Sequence, residues 1–410
     1  MSEKIIVLTE YYPPCNLTAA QRPFSWTKYL KNFGYYTVVF CKNFDNNEYR
    51  FIKEEFFEVH YLPYKQSYFQ IKKSNINNRL IRPIYGFLDY AFENSISYNP
   101  IKEWQTILSK YIIENDVKKM ISTAPGYSIF GLSYILSKKN KIKWIADYRD
   151  DWTTTELNYG FFFNLKNTFD RFREKKYLSN CACFFTVSKY YRKKIGNLVK
   201  KDGYLVENGF DPKENNEVGK FNNKNKLTIL YPGLLYKTQK IQIIGDALDL
   251  LPQDVANKIQ FTFLGTEAIQ VDFQENLKKY VGKNVFFTKR VERSNANQFL
   301  NNADLLLFFP HQVGKVLKGI PSSKLYDFIR IKKPVLVCPS DQDIVEKKLT
   351  ETGQGIFCNN ASELATNIKR MLKLKEDSGS IPLIDIPEHL YYSNTRESQV
   401  GKVAEILDRL

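Results

Sequence analysis

The segment from Ala303 to Val337 narrows the fold of this chain more than any other. Its apolar run Ala303-Asp-Leu-Leu-Leu-Phe-Phe-Pro310 reads as a buried strand closed by a proline. Further on, Ser322 and Ser323 are good N-cap types, and Leu325, Tyr326, Phe328 and Ile329 follow at helical spacing. Pro334 stops that helix, and Val335 to Val337 reads as another short strand. A helix therefore starts beyond the end of a strand, with hydroxyls, free backbone N–H groups and Lys324 in its first turn. The helix dipole and the orphan donors both favour negative charge, so the place suits an anion such as a diphosphate. Asp327, one turn on, is placed to accept hydrogen bonds from a sugar hydroxyl. The same residues also suit an ordinary capped amphipathic helix.

The order of elements extends this pattern. Ile5 to Leu8 reads as a first strand, a helix runs from about Ala19 to Phe33 with Gly34 as its C-cap, and Thr37 to Phe40 is a second strand. This βαβ opening predicts a parallel sheet. Lys119 to Thr123 is the next strand, with Pro125-Gly126 opening a helix to about Leu136. Trp144-Ile-Ala-Asp-Tyr-Arg-Asp-Asp-Trp152 is a strand ending in a charged loop. Phe184 to Val187 follows, with Ser188 capping a basic helix. Residues 42 to about 100 are aromatic and basic and give no clear period. Pro212 to Lys226 is rich in Asn, Lys and Glu and reads as a linker. Leu227 to Tyr231 then begins a second series, with strands at Phe261 to Leu264 and Val285 to Phe287 and a helix from Arg293 to Asn302. Three strand–helix units thus precede the helix at Lys324, as a second doubly wound domain requires. The expected division is 1–210, a linker 211–226, a second domain 227–385, and a closing segment 386–410 with a last helix from Thr395.

Composition limits the partners. The 410 residues suffice for two domains with their own cores. A formal charge of +16 implies an anionic partner: a phosphorylated substrate, an acidic membrane surface or nucleic acid. No nucleic-acid module is recognisable, so nucleic acid is not the expected partner. Six scattered cysteines and three histidines lack metal-ligand spacing, and Cys181 and Cys183 run into an apolar strand, which points to buried thiols. Lys4-Ile-Ile-Val-Leu8 is too short for a signal peptide, and no apolar run approaches the roughly 18 residues of a membrane span. The expected location is cytoplasmic, with a peripheral contact on the inner face of the membrane.

Gly319-x-Pro-Ser-x-Lys-Leu-Tyr-Asp-Phe328 followed by Lys-Pro-Val-Leu-Val337 resembles the donor-site helix of retaining, family-4-like glycosyltransferases of GT-B fold. The resemblance extends to Tyr11-Tyr-Pro-Pro14 with Thr18-Ala-Ala-Gln-Arg22, to Asp147-x-Arg-Asp-x-Trp152, and to Asn208-Gly-x-Asp211 where a first domain ends. It implies an α/β architecture of two Rossmann-like doubly wound parallel-sheet domains with a cleft between them and a C-terminal helix crossing back to the first. It implies transfer of a sugar from a UDP or GDP sugar to a hydroxyl of a glycan or lipid-diphosphate-linked acceptor, as in polysaccharide biosynthesis, with retention and without a metal or other cofactor. On the donor side it points to Gly233, Lys237, Ser322, Ser323, Lys324 and Asp327, with Lys324 stabilising the leaving diphosphate and Asp327 the ribose. On the acceptor side it points to Arg22, Arg149 and Asp150, with Asp150 touching the acceptor hydroxyl. Other readings of these residues stand beside this one: Lys237 as plain surface, Asp147 and Arg149 as an ion pair, Asp150 with Asp151 as a helix cap, and a metal-binding Asp-x-Asp, for which Asp147 and Asp150 have the wrong spacing. Many family-4 enzymes carry two glutamates eight positions apart here; Asp327 fills the second place and Gly319 stands at the first. A nucleotide-sugar epimerase and an inactive scaffold of the same fold are the alternatives.

Overall fold

Strands buried on both faces need no polar alternation, and the first strand has none. Ile5, Ile6, Val7 and Leu8 are all fully buried, as a central parallel strand requires. The computed structural model describes residues 2–45, 47–154, 161–214, 226–267, 275–313, 315–317, 319–320 and 322–410. Most of the expected linker, 215–225, and Pro321 of the Gly-x-Pro-Ser motif lie outside the described residues. The chain divides into two units, Met1–Asn208 with Arg396–Leu410, and Gly209–Thr395.

The first unit carries β1 (Glu3–Thr9), β2 (Tyr35–Lys42), β3 (Arg50–Lys53), β4 (Phe57–Leu62), β5 (Lys119–Thr123), β6 (Lys143–Tyr148), β7 (Cys183–Thr186) and β8 (Gly203–Leu205). They form one eight-stranded sheet in the order β3-β4-β2-β1-β5-β6-β7-β8. Every pairing is parallel except that of the edge strand β3 with β4. The helix expected over 19–33 spans Thr18–Tyr29 and tightens into a 3₁₀ turn, Leu30–Phe33, which Gly34 closes in the left-handed region at φ 83°. The expected last helix from Thr395 is present as Arg396–Asp408, but the closing segment 386–410 divides between the units. Glu388–Ser393 stays with the second unit, and only Arg396–Asp408 returns to the first. There Val400, Val403 and Leu407 join the core of Trp26, Leu30 and Val39, and the Tyr35 hydroxyl donates to Asp408 Oδ1 at 2.5 Å.

The second unit carries β9 (Leu227–Pro232), β10 (Ile259–Leu264), β11 (Val285–Thr288), β12 (Leu305–Phe308), a small hairpin of β13 (Gln312–Val313) and β14 (Lys315–Val316), β15 (Val335–Val337) and β16 (Gly355–Phe357). Six of these make a wholly parallel sheet in the order β11-β10-β9-β12-β15-β16. In both sheets the chain winds outward from the first strand, then returns to its other side. The return places a switch point between β1 and β5 in one sheet and between β9 and β12 in the other. Ligands of open α/β sheets bind outside the carboxyl ends of strands at such points.

A buried ion pair ties the second sheet to its covering helix. Asp304 Oδ2 accepts from Thr228 N and Oγ1, each at 2.8 Å, and from Lys375 Nζ at 2.7 Å. Only 4 % of either charged side chain is exposed. Lys375→Ala strands a buried carboxylate, so we expect it to cost about 3–5 kcal/mol in urea denaturation. Lys373→Ala, exposed on the same helix, should stay within about 0.5 kcal/mol.

Candidate active site

At the switch point of the second sheet, the helix Lys324–Ile331 sends its first lysine back over the end of β9. Lys324 Nζ lies 3.8 Å from the centroid of the Tyr231 ring and donates to its hydroxyl at 2.5 Å. A longer bond, 3.5 Å, reaches the Leu234 carbonyl. All these partners are neutral. Burial pushes Lys324 down to about 7. The surrounding loop is fixed by hydrogen bonds: Gln239 accepts from the Tyr231 hydroxyl at 2.8 Å and donates to the Phe309 carbonyl at 2.6 Å. Gly233 sits at φ 92°, and a Cβ there would lie 3.1 Å from Lys324 Cε. A side chain at that position would occupy the space that the lysine crosses. His311, whose Nδ1 is 2.7 Å from Thr238 Oγ1, is lowered by burial and by Lys324. Lys237 is exposed on the same loop and makes no ion pair among the described residues.

The serines act differently from simple caps. Ser323 occupies the N-cap position, is exposed, and makes no side-chain cap bond. Ser322 Oγ instead accepts from Lys324 N at 3.3 Å. One turn on, Asp327 is held by Arg293, whose Nη1 and Nη2 donate to its two oxygens at 3.1 and 2.5 Å. Arg293 also pairs with Glu214 through Nε and Nη2 at 3.0 and 2.9 Å. This leaves each Asp327 oxygen a further lone pair for a hydroxyl.

In the first sheet the charged loop after β6 is organised from below. Arg22 is 5 % exposed and grips Asp147, fully buried, through Nε and Nη2 at 2.8 and 2.7 Å. It also donates to the carbonyls of Val206 and Glu207, both at 3.0 Å. Asp147 therefore pairs with Arg22 rather than Arg149, and Thr123 Oγ1 adds a third bond at 2.5 Å. Arg149 keeps a buried Nε without a partner among the described residues, and burial lowers its pKa. Asp150 is exposed, while the Tyr127 hydroxyl donates to its carbonyl at 3.2 Å. Tyr127 stacks on Trp152 at 4.6 Å, nearly coplanar. Asp151 is half-buried, and burial raises it to about 6. Among the described residues no group of three or more His, Cys, Asp or Glu side chains is placed to hold a metal ion.

Three groups at these places belong to no motif in the local sequence pattern: Tyr231, which seats Lys324, Arg293, which holds Asp327, and Glu10 in the first unit. Glu10 lies at the carboxyl end of β1, buried beside Gly126, where a Cβ would come within 2.4 Å of its carboxyl carbon. Burial raises it to about 7 against the opposing pull of Lys42. A charged residue directly after an apolar strand was the one signal available.

Comparison with solved structures places this geometry in a known architecture. Sucrose-phosphate synthase from Thermosynechococcus elongatus superposes with a TM-score of 0.68 at 12% identity, over 99% of this chain and 98% of that one. HepE of Anabaena, in complex with UDP and glucose, gives 0.60 at 12% identity over 100% of both chains. A glycosyltransferase from Rickettsia africae gives 0.59 at 13% identity over 98% and 97%. The chain has the GT-B fold. No protein-family model and no curated protein matches the sequence.

Two measurements check this GT-B geometry. After reductive ¹³C-methylation, one dimethyl-lysine resonance should titrate near 7 and vanish in Lys324→Met. Arg22→Ala leaves Asp147 charged and buried, and should lower stability by about 3–5 kcal/mol.

Proposed function

We propose that the chain is a glycosyltransferase that takes its sugar from a nucleotide diphosphate sugar, UDP or GDP. The observation that carries this reading is Lys324: a half-buried ammonium whose partners among the described residues are neutral oxygens, at the carboxyl end of β9 and in the first turn of a helix. A cation kept dry and unpaired lowers its own pKa, and a diphosphate would supply the missing countercharge. The structures of HepE with UDP and glucose, and of the E. coli trehalose-6-phosphate protein bound with UDP-2-fluoro glucose, support it through their shared fold.

In this mechanism the bond between the anomeric carbon and the diphosphate oxygen breaks, and the acceptor oxygen forms the new bond to that carbon. Lys324 and the backbone N–H groups beside Ser322 and Ser323 stabilise the charge that develops on the departing diphosphate, so no metal ion is required. Gly233 leaves room for the phosphates, and Lys237 can swing toward them from its exposed loop. Asp327, steadied by Arg293, accepts from the ribose hydroxyls. The acceptor hydroxyl meets the first unit at Arg149 and Asp150, with Arg22 fixing the Asp147 loop beneath them. The acceptor is a glycan or a lipid-diphosphate-linked sugar, whose negative charge suits the +16 of the chain. Retention at the anomeric carbon and the family-4 subtype rest on the Gly-x-Pro-Ser-x-Lys motif. A cytoplasmic location agrees with six cysteines that are all free.

Thermal shift with UDP, GDP and CMP tests the donor class. At about 100 times the dissociation constant, one nucleotide should stabilise the protein by roughly 2.7 kcal/mol. Asp327→Ala and Lys324→Met should both weaken that shift, and Lys324→Met should depress transfer far more than it depresses binding. Absence of any nucleotide shift in the wild type would leave an inactive scaffold of the same fold as the reading.

A further inference from the structure

The helix Phe161–Leu178 is turned inside out. Surface helices of globular proteins bury an apolar stripe and expose a charged one. This helix buries Lys166, Asp170 and Glu174, with 8, 1 and 0 % exposed. Lys166 Nζ and Arg173 Nη1 donate to the two oxygens of Asp170 at 2.6 and 2.7 Å. Glu174 accepts from the Tyr148 hydroxyl at 2.8 Å and from Thr153. The opposite face carries Phe161, Leu165, Phe169 and Phe172 at spacings of four, four and three. Their exposures are 75, 38, 52 and 71 %. Such a spacing puts all four on one stripe, and the buried charge network prevents the helix from rolling over to hide them.

The apolar surface continues onto a neighbour. Phe162, 61 % exposed, has its ring 5.0 Å from Phe87 of the helix Arg82–Phe92. At the start of that helix Leu80, Ile81 and Ile84 are exposed as well. A contiguous apolar surface of this kind marks an interaction site. Its exposed charges are mostly basic, Glu93 at the end of the neighbouring helix being an exposed acid that pairs with Lys166. The exposed charged side chains of the inverted helix are Arg171, Lys175 and Lys176. The stretch 68–84 adds exposed Lys72, Lys73, Arg79 and Arg82 and contains no Asp or Glu.

We propose that this face of the first unit seats on an anionic lipid bilayer, with the phenylalanines entering the boundary of the acyl region and the basic side chains lying among the headgroups. An aromatic stripe flanked by Lys and Arg on a helix lying along a surface is the chemistry that such an interface selects. A second copy of the chain is a poorer occupant, because it would bring the same uncompensated basic rim against this one. The inference does not depend on the donor site. No helix among the described residues is long and apolar enough to cross a membrane, so the contact is with the surface.

Flotation of the full chain tests it, using vesicles of phosphatidylcholine alone and vesicles that also contain phosphatidylglycerol. The wild type should float with the anionic vesicles, and less so at high salt. The variant Phe161→Ser/Phe169→Ser/Phe172→Ser should bind those vesicles roughly tenfold more weakly or worse. Its thermal unfolding should remain that of the wild type, since all three side chains are exposed. Failure of the wild type to float with anionic vesicles would overturn the proposal, and so would equal flotation of the triple serine variant. A wild-type dimer in sedimentation equilibrium that the variant turns into a monomer would assign the face to self-association instead.

Discussion

An ammonium group held against a tyrosine ring, with no carboxylate beside it among the described residues, is an incomplete electrostatic arrangement. Lys324 could relieve it by turning to water, but the loop around β9 prevents this. Tyr231 is anchored through Gln239 to the β12 end, and the left-handed turn at Gly233 lies so close that a Cβ there would come within 3.1 Å of Lys324 Cε. Partial desolvation disfavours the charged form, while its usual compensation, an opposite charge, is left open. The parallel sheet fixes where this happens. The switch between β9 and β12 brings the carboxyl ends of two strands and the start of a helix to one place, where the helix start contributes positive potential and free N–H donors.

The two sheets share a winding pattern but treat charge in opposite ways. Near the first switch point the strong charges are satisfied: Arg22 and Asp147 neutralise each other in a buried, bidentate contact that also holds the segment after β8 through the Val206 and Glu207 carbonyls. What remains open there is a carboxyl, Glu10, which burial brings to about 7, and Arg149 with its unpartnered Nε. A group poised near neutrality can hold or release a proton at little cost. The second unit thus offers positive charge for an anion, and the first offers groups suited to a hydroxyl.

Much of this architecture could be read from local pattern. Strand–helix alternation predicted both parallel sheets, and the helix Arg293–Asn302 falls where its apolar spacing and flanking residues put it. The candidate site is marked in the sequence where its motif is contiguous, as at Lys324 and Asp327. It was hidden where partners are far apart in sequence. Arg22 meets Asp147 across 125 residues, and Arg293 meets Asp327 across 34; no local period records either contact. The region from 42 to 100 gave no period because β3 is a short, exposed edge strand and the helices after it bury almost nothing. The helix Phe161–Leu178 shows the limit of periodicity itself. An apolar stripe at helical spacing is the same in sequence whether it faces a core or the outside. The buried partners of Asp170 and Glu174 decide which.

Proton uptake on donor binding is the most direct measure of whether Lys324 waits for a diphosphate. Calorimetric titration with the nucleotide that stabilises the chain, in buffers of different ionisation enthalpy, reads it out. The free lysine titrates near 7 and the complexed one higher, so at about pH 8 binding must draw protons in, approaching one per site as the bound-state value rises. Affinity must fall as pH rises above about 7, and Lys324→Met must abolish both effects. Binding by the wild type with no proton uptake would contradict the account, because the diphosphate would then be held by something other than this lysine.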